Sequence, residues 1–228
     1  MGQLLVKEKQ VVVPGELLAE GMDFLPANGA YRDNDKVVAM QLGMVEVNGR
    51  LVKVIPLSGN YVPKANDTVI GRVTDISYSN WFVDIGYAYD AVLGMKDATS
   101  DYIERGAELS QYFGIGDIIV TKVTNVTKSK MIDLTMKGMG LRKLIGGRII
   151  TVSPVKVPRI LGKKGTMISM IQKETDCRIV VGQNGRVWIS GKEPKSELLA
   201  EQAIKMVDQF AHVSGLTDKV KEFLQKNR

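Results

Sequence analysis

The stretch Gly162-Lys163-Lys164-Gly165 has residue types and a spacing suited to holding an anion. Two glycines three positions apart allow tight backbone angles and a close approach of a phosphate. A helix is predicted directly behind them over Thr166–Thr175, where Met167, Ile168, Met170 and Ile171 recur at helical spacing. The start of such a helix offers free N–H groups and partial positive charge. Lys163 and Lys164 add charge from within the loop, with Arg159 and Lys156 just upstream. The same pattern also occurs as a plain connecting turn, and its spacing is not that of a Walker nucleotide-binding loop.

A second candidate is Phe82. In Trp81-Phe82-Val83-Asp84-Ile85, strand alternation that turns Val83 and Ile85 inward turns Phe82 and Asp84 outward. An outward aromatic on a small barrel can stack a base; it can equally pack under a loop or a neighbouring domain. Bond-making chemistry has little to draw on. The chain holds one cysteine, Cys177, and one histidine, His212, so an internal disulfide and a thiolate zinc site are excluded. Cys177 beside a strand reads as a small buried hydrophobe, and His212 follows a helix with no evident partner. Asp33 with Asp35, and Asp97 with Asp101, fall in loops. No catalytic residue, metal or cofactor is assigned.

The elements that must hold these residues change character along the chain. Val11-Val12-Val13 ends at Pro14-Gly15, and Lys36–Met40 is a short strand. Met44–Val47 and Leu51–Ile55 flank Asn48-Gly49-Arg50, a strong hairpin signal. Residues 1–64 thus read as an all-β module. Five strands follow in 65–146: Val69–Ile76, Trp81–Gly86, Ala91–Met95, Asp117–Val126 and Met131–Met136. A longer, more helical connection over Lys96–Gly116 lies between the third and fourth, which matches a five-stranded OB-fold β-barrel. Residues 147–228 read as α+β. Strands are predicted at Ile149–Val152, near Val157, at Arg178–Val181 and at Val187–Ile189. The Gly182-Gln183-Asn184-Gly185 turn joins the last two, and helices run from Lys195 to Ala211 and from Asp218 to Gln225. Trp188 reads as core.

The chain has 228 residues and a net charge of +6. Residues 1–64 are neutral and residues 65–146 carry −1, so the whole basic excess, +7, falls in residues 147–228. Either a polyanion partner or a lysine-rich solvated surface fits that distribution. No apolar run approaches the ~18 residues of a membrane span, and the first residues lack the apolar core of a secretory signal. A cytoplasmic protein without membrane contact is expected.

Several motifs together carry a family resemblance. Gly71-Arg72-Val73-Thr74-Asp75-Ile76, Phe82-Val83-Asp84-Ile85-Gly86 and Gly116-Asp117-Ile118-Ile119-Val120 resemble the OB-type repeat first named in the largest bacterial small-subunit ribosomal protein. The order strand, short helix, GxxG, helix, strand, turn, strand, long helix is similar to that of a type I KH domain. Val13-Pro14-Gly15-Glu16-Leu17 and Tyr61-Val62-Pro63 stand ahead of both. The three-part order resembles the KH-containing RNA-binding cap subunits of the archaeal exosome, over nearly the full chain. A sister cap type ends in a zinc ribbon, which one cysteine cannot build.

The resemblance implies a non-catalytic subunit whose N-terminal module and parts of the barrel dock on a ring of RNase PH-like subunits. Three cap copies would recruit single-stranded RNA and thread its 3′ end inward for 3′-to-5′ degradation. In the KH domain, Gly162–Gly165 would clamp about four nucleotides. Where the ribosomal-type repeat usually carries an RNA-contacting histidine, this sequence reads Leu93-Gly94-Met95. That shifts the expected contacts to the KH loop and to pore-side Arg72 and Lys122. A stand-alone RNA-binding regulator or translation-associated factor would use the same OB and KH parts.

Overall fold

A computed structural model describes residues 2–104, 106–211 and 215–227. His212 lies outside them. The chain divides into two compact units, Met1–Gly59 and Asn60–Arg228.

The first unit is all β. Its strands are β1 (Gln3–Leu4), β2 (Val11–Val12), β3 (Leu17–Glu20), β4 (Leu25–Pro26), β5 (Ala30–Asp33), β6 (Lys36–Ala39), β7 (Gly43–Asn48) and β8 (Leu51–Pro56). They form two four-stranded sheets, ordered β1-β3-β6-β5 and β2-β7-β8-β4. Val12, Leu18, Val37, Val45, Val52 and Val54 fill the core between them. The predicted hairpin is present: Asn48 pairs with Leu51, leaving Gly49-Arg50 as a two-residue loop. Gly49 has φ 60°, and Arg50 is not among the positive-φ residues. Glycine at the first central position is what a type II′ turn requires. Strands β1, β3, β4 and β5 were not anticipated from the sequence. Two of them have only two residues and exist through their partners rather than through any pattern of their own.

The second unit joins a barrel to an α+β layer. Its barrel strands are β9 (Thr68–Ile76), β10 (Asn80–Asp84), β11 (Ala91–Gly94), β12 (Ile118–Val126) and β13 (Ile132–Thr135), all five anticipated. The sheet runs β13-β11-β10-β9-β12, and an added β12–β13 pairing closes it. A short helix, α1 (Met95–Ala98), and a 3-10 turn at Leu109–Gln111 occupy the long connection. Trp81 anchors the interior, wholly buried, with its indole N–H donated to the Phe113 carbonyl at 2.9 Å. Tyr61 also packs into this core and donates its hydroxyl to Asp67. Burial, reinforced by that hydrogen bond and the Asp67 charge, pushes the phenol far above its usual pKa. One strand was missed: β14 (Arg142–Leu144), three residues paired with β12.

The remaining elements form the KH domain: β15 (Arg148–Thr151), α2 (Val157–Leu161), α3 (Thr166–Thr175), β16 (Arg178–Val181), β17 (Arg186–Ser190), α4 (Pro194–Gln209) and α5 (Leu216–Lys226). The sheet order is β15-β17-β16. Helices α2 to α5 cover one sheet face through Val157, Ile160, Ile171, Ala203, Ile204, Val220 and Leu224. The strand expected near Val157 is instead helical. A 3-10 turn over Pro154–Lys156 leads into α2, and Pro158 sits in that helix's first turn. Two prolines with fixed φ outweigh the β preference of Val155 and Val157.

Candidate nucleic-acid interface

The Gly162–Gly165 loop links α2 to α3 as a 3-10 turn. Gly162 has φ 74°, and a Cβ there would lie 2.8 Å from the backbone nitrogen of Met167. Only glycine fits both the angle and the space. Lys164 adopts a left-handed conformation, φ 56°, which swings its side chain away from the helical path. Lys163 and Lys164 are exposed, and among the described residues neither ammonium has a carboxylate partner. Two cations therefore stand at the positive end of α3 with no counter-charge, a phosphate-attracting arrangement.

Arg159 is exposed on α2, next to the loop. Lys156 donates its ammonium to the Asp208 carbonyl at 2.7 Å, with the Asp208 carboxylate 3.7 Å away. It thus caps the last turn of α4 and ties α2 to that helix.

On the barrel, Val83 and Ile85 are buried and Phe82 is half-buried on the outer side, as strand alternation requires. Its cross-strand neighbours are Asp75 on β9 and Val92 on β11, and Val92 in turn pairs with Asp133 on β13. Carboxylates thus bracket the aromatic. Gly94 pairs with Asn80 on the same sheet. Arg72 and Lys122 lie on a different part of the barrel. Arg72 pairs with Ile118, Ile70 with Val120, and Thr68 with Lys122, so the three pairs share one outer face. Its centre, Ile70 and Val120, is buried with Leu144 beneath Trp188 of the KH sheet. Arg72 and Lys122 flank that covered patch.

The seam between barrel and KH sheet is polar as well as apolar. Strand β10 ends at Asp84, leaving the first residues of β9 without it as a neighbour. The Gly182–Gly185 turn fills that notch. Gln183 accepts from the Thr68 N–H at 3.0 Å and donates its own N–H to the Thr68 carbonyl at 2.8 Å. The Asn184 carboxamide accepts from the Ile70 N–H at 3.2 Å and donates to the carbonyls of Ile70 and Ile85, each at 2.8 Å. It pairs with β9 as a peptide group of a neighbouring strand would. Gly182 is required because a Cβ would meet the Asn184 carboxamide and lie 2.9 Å from the Ile70 nitrogen. Beside the turn, Arg186 donates to the Asp84 carbonyl and carboxylate, both at 2.6 Å. Burial alone would raise the Asp84 carboxyl. Hydrogen bonds from Arg186 and Gly86, with the charges of Arg186 and Arg72, reverse that and hold it below 3.8. The sequence marks this turn as a hairpin that needs no ligand. The consecutive carboxamides between glycines are the signal that it plugs into protein.

Among the described residues no group of histidine, cysteine, aspartate and glutamate could hold a metal ion. Cys177 is buried, as expected.

Residues 9–58 match the family model described as the N-terminal domain of exosome RNA-binding protein RRP4. Residues 60–105 match the RRP4 S1 domain, and 147–195 a KH domain. The exosome complex component Rrp4 of Thermococcus kodakarensis is 45% identical over 227 residues, covering 98% of this chain and 88% of the relative. The chain belongs to the Rrp4 family. The Rrp4 of Methanothermus fervidus is 43% identical, covering 97% of each chain. A crystal structure assigned to an exosome complex RNA-binding protein matches with a TM-score of 0.68 at 36% identity, over 75% of this chain and 98% of that one. Membership of the Rrp4 family agrees with the order read from the sequence: a β-rich N-terminal part, an S1-type OB barrel and a KH domain.

Proposed function

We propose that this chain is a non-catalytic RNA-binding subunit of an exosome. It helps recruit single-stranded RNA and pass its 3′ end into a ring of RNase PH-like subunits, with three copies around the entry. The observation that carries the reading is the Gly162–Gly165 loop, whose two exposed lysines have no carboxylate partner among the described residues and stand at the start of α3. Family membership and the basic excess of residues 147–228 support it. Loop glycines would admit the backbone, Lys163, Lys164 and Arg159 would neutralise phosphates, and no base need be read. Phe82, Arg72, Lys122 and Lys156 are secondary in this proposal. Asp75 stands directly across from the first, the next two border the seam, and Lys156 serves α4.

The test is the double variant Lys163→Asp/Lys164→Asp. It should weaken binding of several unrelated single-stranded RNAs to a similar degree. It should also lower the slope of log affinity against log salt by about 1.4, at roughly 0.7 per lost phosphate contact. The same change at exposed Lys219 and Lys221 on α5 is the control. Equal losses from both pairs would leave only a diffuse basic surface, and shortening of the RNA by the pure chain would overturn the non-catalytic role.

A further inference from the structure

Where the barrel meets the KH sheet, an open cleft of about 330 Å³ is lined by Arg142, Lys143, Leu144, Ile145, Arg178 and Trp188. Its cations come from both sides of the seam. Arg142 is on β14, opposite Val120, and so on the barrel face that the KH sheet covers. Arg178 opens β16, an outer strand of the KH sheet. It lies two residues from Val180, which pairs with Trp188 and packs at the seam.

The state of their charges sets these two arginines apart from Lys143, the third cation of the cleft. Lys143 is neutralised by Asp117 at 2.5 Å, and Arg186, beside the Gly182–Gly185 turn, by Asp84. Arg142 and Arg178 are exposed, and among the described residues neither has a carboxylate partner. Two like charges converging on one cleft repel each other unless an anion lies between them. Ile145, 80% exposed on the rim, adds an apolar surface that could support a ribose or base. Trp188 is 5% exposed and its indole N–H is held by the Gly146 carbonyl at 2.8 Å, so it forms a wall and not a stacking platform.

We infer that this cleft is a second RNA-backbone site, in which Arg142 and Arg178 hold phosphates of a single strand longer than the KH loop itself accommodates. The inference rests on the RNA-binding reading above and deepens it. The barrel's outer aromatic face offers a phosphate little: Phe82 lies between Asp75 and Asp133. The cleft offers two guanidiniums with no carboxylate partner among the described residues, and their planar forks suit phosphate oxygens. The strand would therefore leave the KH loop along the seam and not across the barrel sheet.

The test uses the full chain and two labelled single-stranded RNAs of mixed sequence, one of about four nucleotides, enough for a KH loop, and one of about fifteen. Arg142→Gln/Arg178→Gln should weaken the long RNA about tenfold near 0.1 M salt and lower its salt slope by about 1.4, leaving the short RNA unchanged. Arg142→Lys/Arg178→Lys, which keeps the charge, should restore the slope, and Lys219→Gln/Lys221→Gln should leave both RNAs near wild type. Circular dichroism spectra that superimpose on wild type qualify each variant. Unchanged long-RNA binding in the Gln pair, with the Lys163→Asp/Lys164→Asp variant still defective, would overturn the cleft and leave the KH reading intact. Equal weakening of both RNAs would overturn it too. Failure of the wild-type chain to bind either RNA would overturn both proposals.

Discussion

Asn48-Gly49 and Asn184-Gly185 each connect two antiparallel strands and look alike in the sequence, yet their surroundings differ completely. Asn48 is exposed at the tip of the β7–β8 hairpin, and a Cβ on Gly49 would meet nothing within 4 Å. Asn184 is 5% exposed, and its carboxamide satisfies three backbone groups of the barrel more than ninety residues away. The first turn only reverses the chain. The second reverses it and also supplies the missing edge of another domain's strand. A turn dipeptide specifies local backbone geometry, and burial of the side chain decides whether it holds anything else.

The contrast can be broken most directly at Asn184. Asn184→Ala removes three hydrogen bonds and strands the carbonyls of Ile70 and Ile85 and the N–H of Ile70. Unsatisfied buried groups cost about 1–3 kcal/mol each, partly relieved where water enters, so a loss of roughly 3 kcal/mol is expected. The chain's two tryptophans, Trp81 and Trp188, lie in the barrel core and the seam. A urea melt followed by their fluorescence reads this unit, and a change under about 0.5 kcal/mol would show that the turn is no clamp.

Arg186→Met sharpens the comparison at the next level, with an expected cost of about 1–2 kcal/mol near neutral pH for a partly exposed, charge-assisted contact. The Asp84 carboxyl is held below 3.8 in the folded chain. Its contribution is thus present above that value and is lost as pH falls through the lowered folded pKa. The gap between wild type and variant should therefore narrow in melts taken below 3.8, and a gap that widens with acid would exclude the pair as its source.

The smallest effects belong to the exposed turn. Gly49→Ala places a Cβ at φ 60° and should cost about 1 kcal/mol; Asn48→Ala should stay within about 0.5 kcal/mol. Both tryptophans lie outside residues 1–59, so tryptophan fluorescence is blind to this unit. Amide exchange along β7 and β8 is the measurement, and a Gly49→Ala effect as large as that of Asn184→Ala would erase the distinction.

What could be read in advance follows the range of the forces involved. Strands β7, β9, β10 and β12 announce themselves through alternation, and α3 and α4 through apolar residues at helical spacing, because those patterns are local. The pair β1–β3 and strand β14 were illegible: Gln3-Leu4 and Arg142-Lys143-Leu144 have too few residues to show a period and are strands only through their neighbours. The KH loop was legible because glycine spacing and lysine charge are local too. The Asn184 clamp, the Arg186–Asp84 pair and the Arg142–Arg178 cleft join segments on either side of the barrel–KH seam, and no local pattern records them. Trp188 was read as core, which it is, but of the seam and not of the KH interior.

The clamp also has a consequence for the order in which the chain becomes complete during synthesis. The last barrel strand ends at Thr135, forty-nine residues before Asn184. At roughly 5–20 residues per second a nascent barrel waits several seconds for the turn that finishes it. Through that interval the Ile70 and Ile85 backbone groups are served by water, and Ile70 and Val120 lie bare on the outer face. Between the emergence of these two points from the ribosome, the nascent chain carries a closed barrel with an uncovered apolar patch, a sticky intermediate that vanishes once the C-terminal domain has emerged.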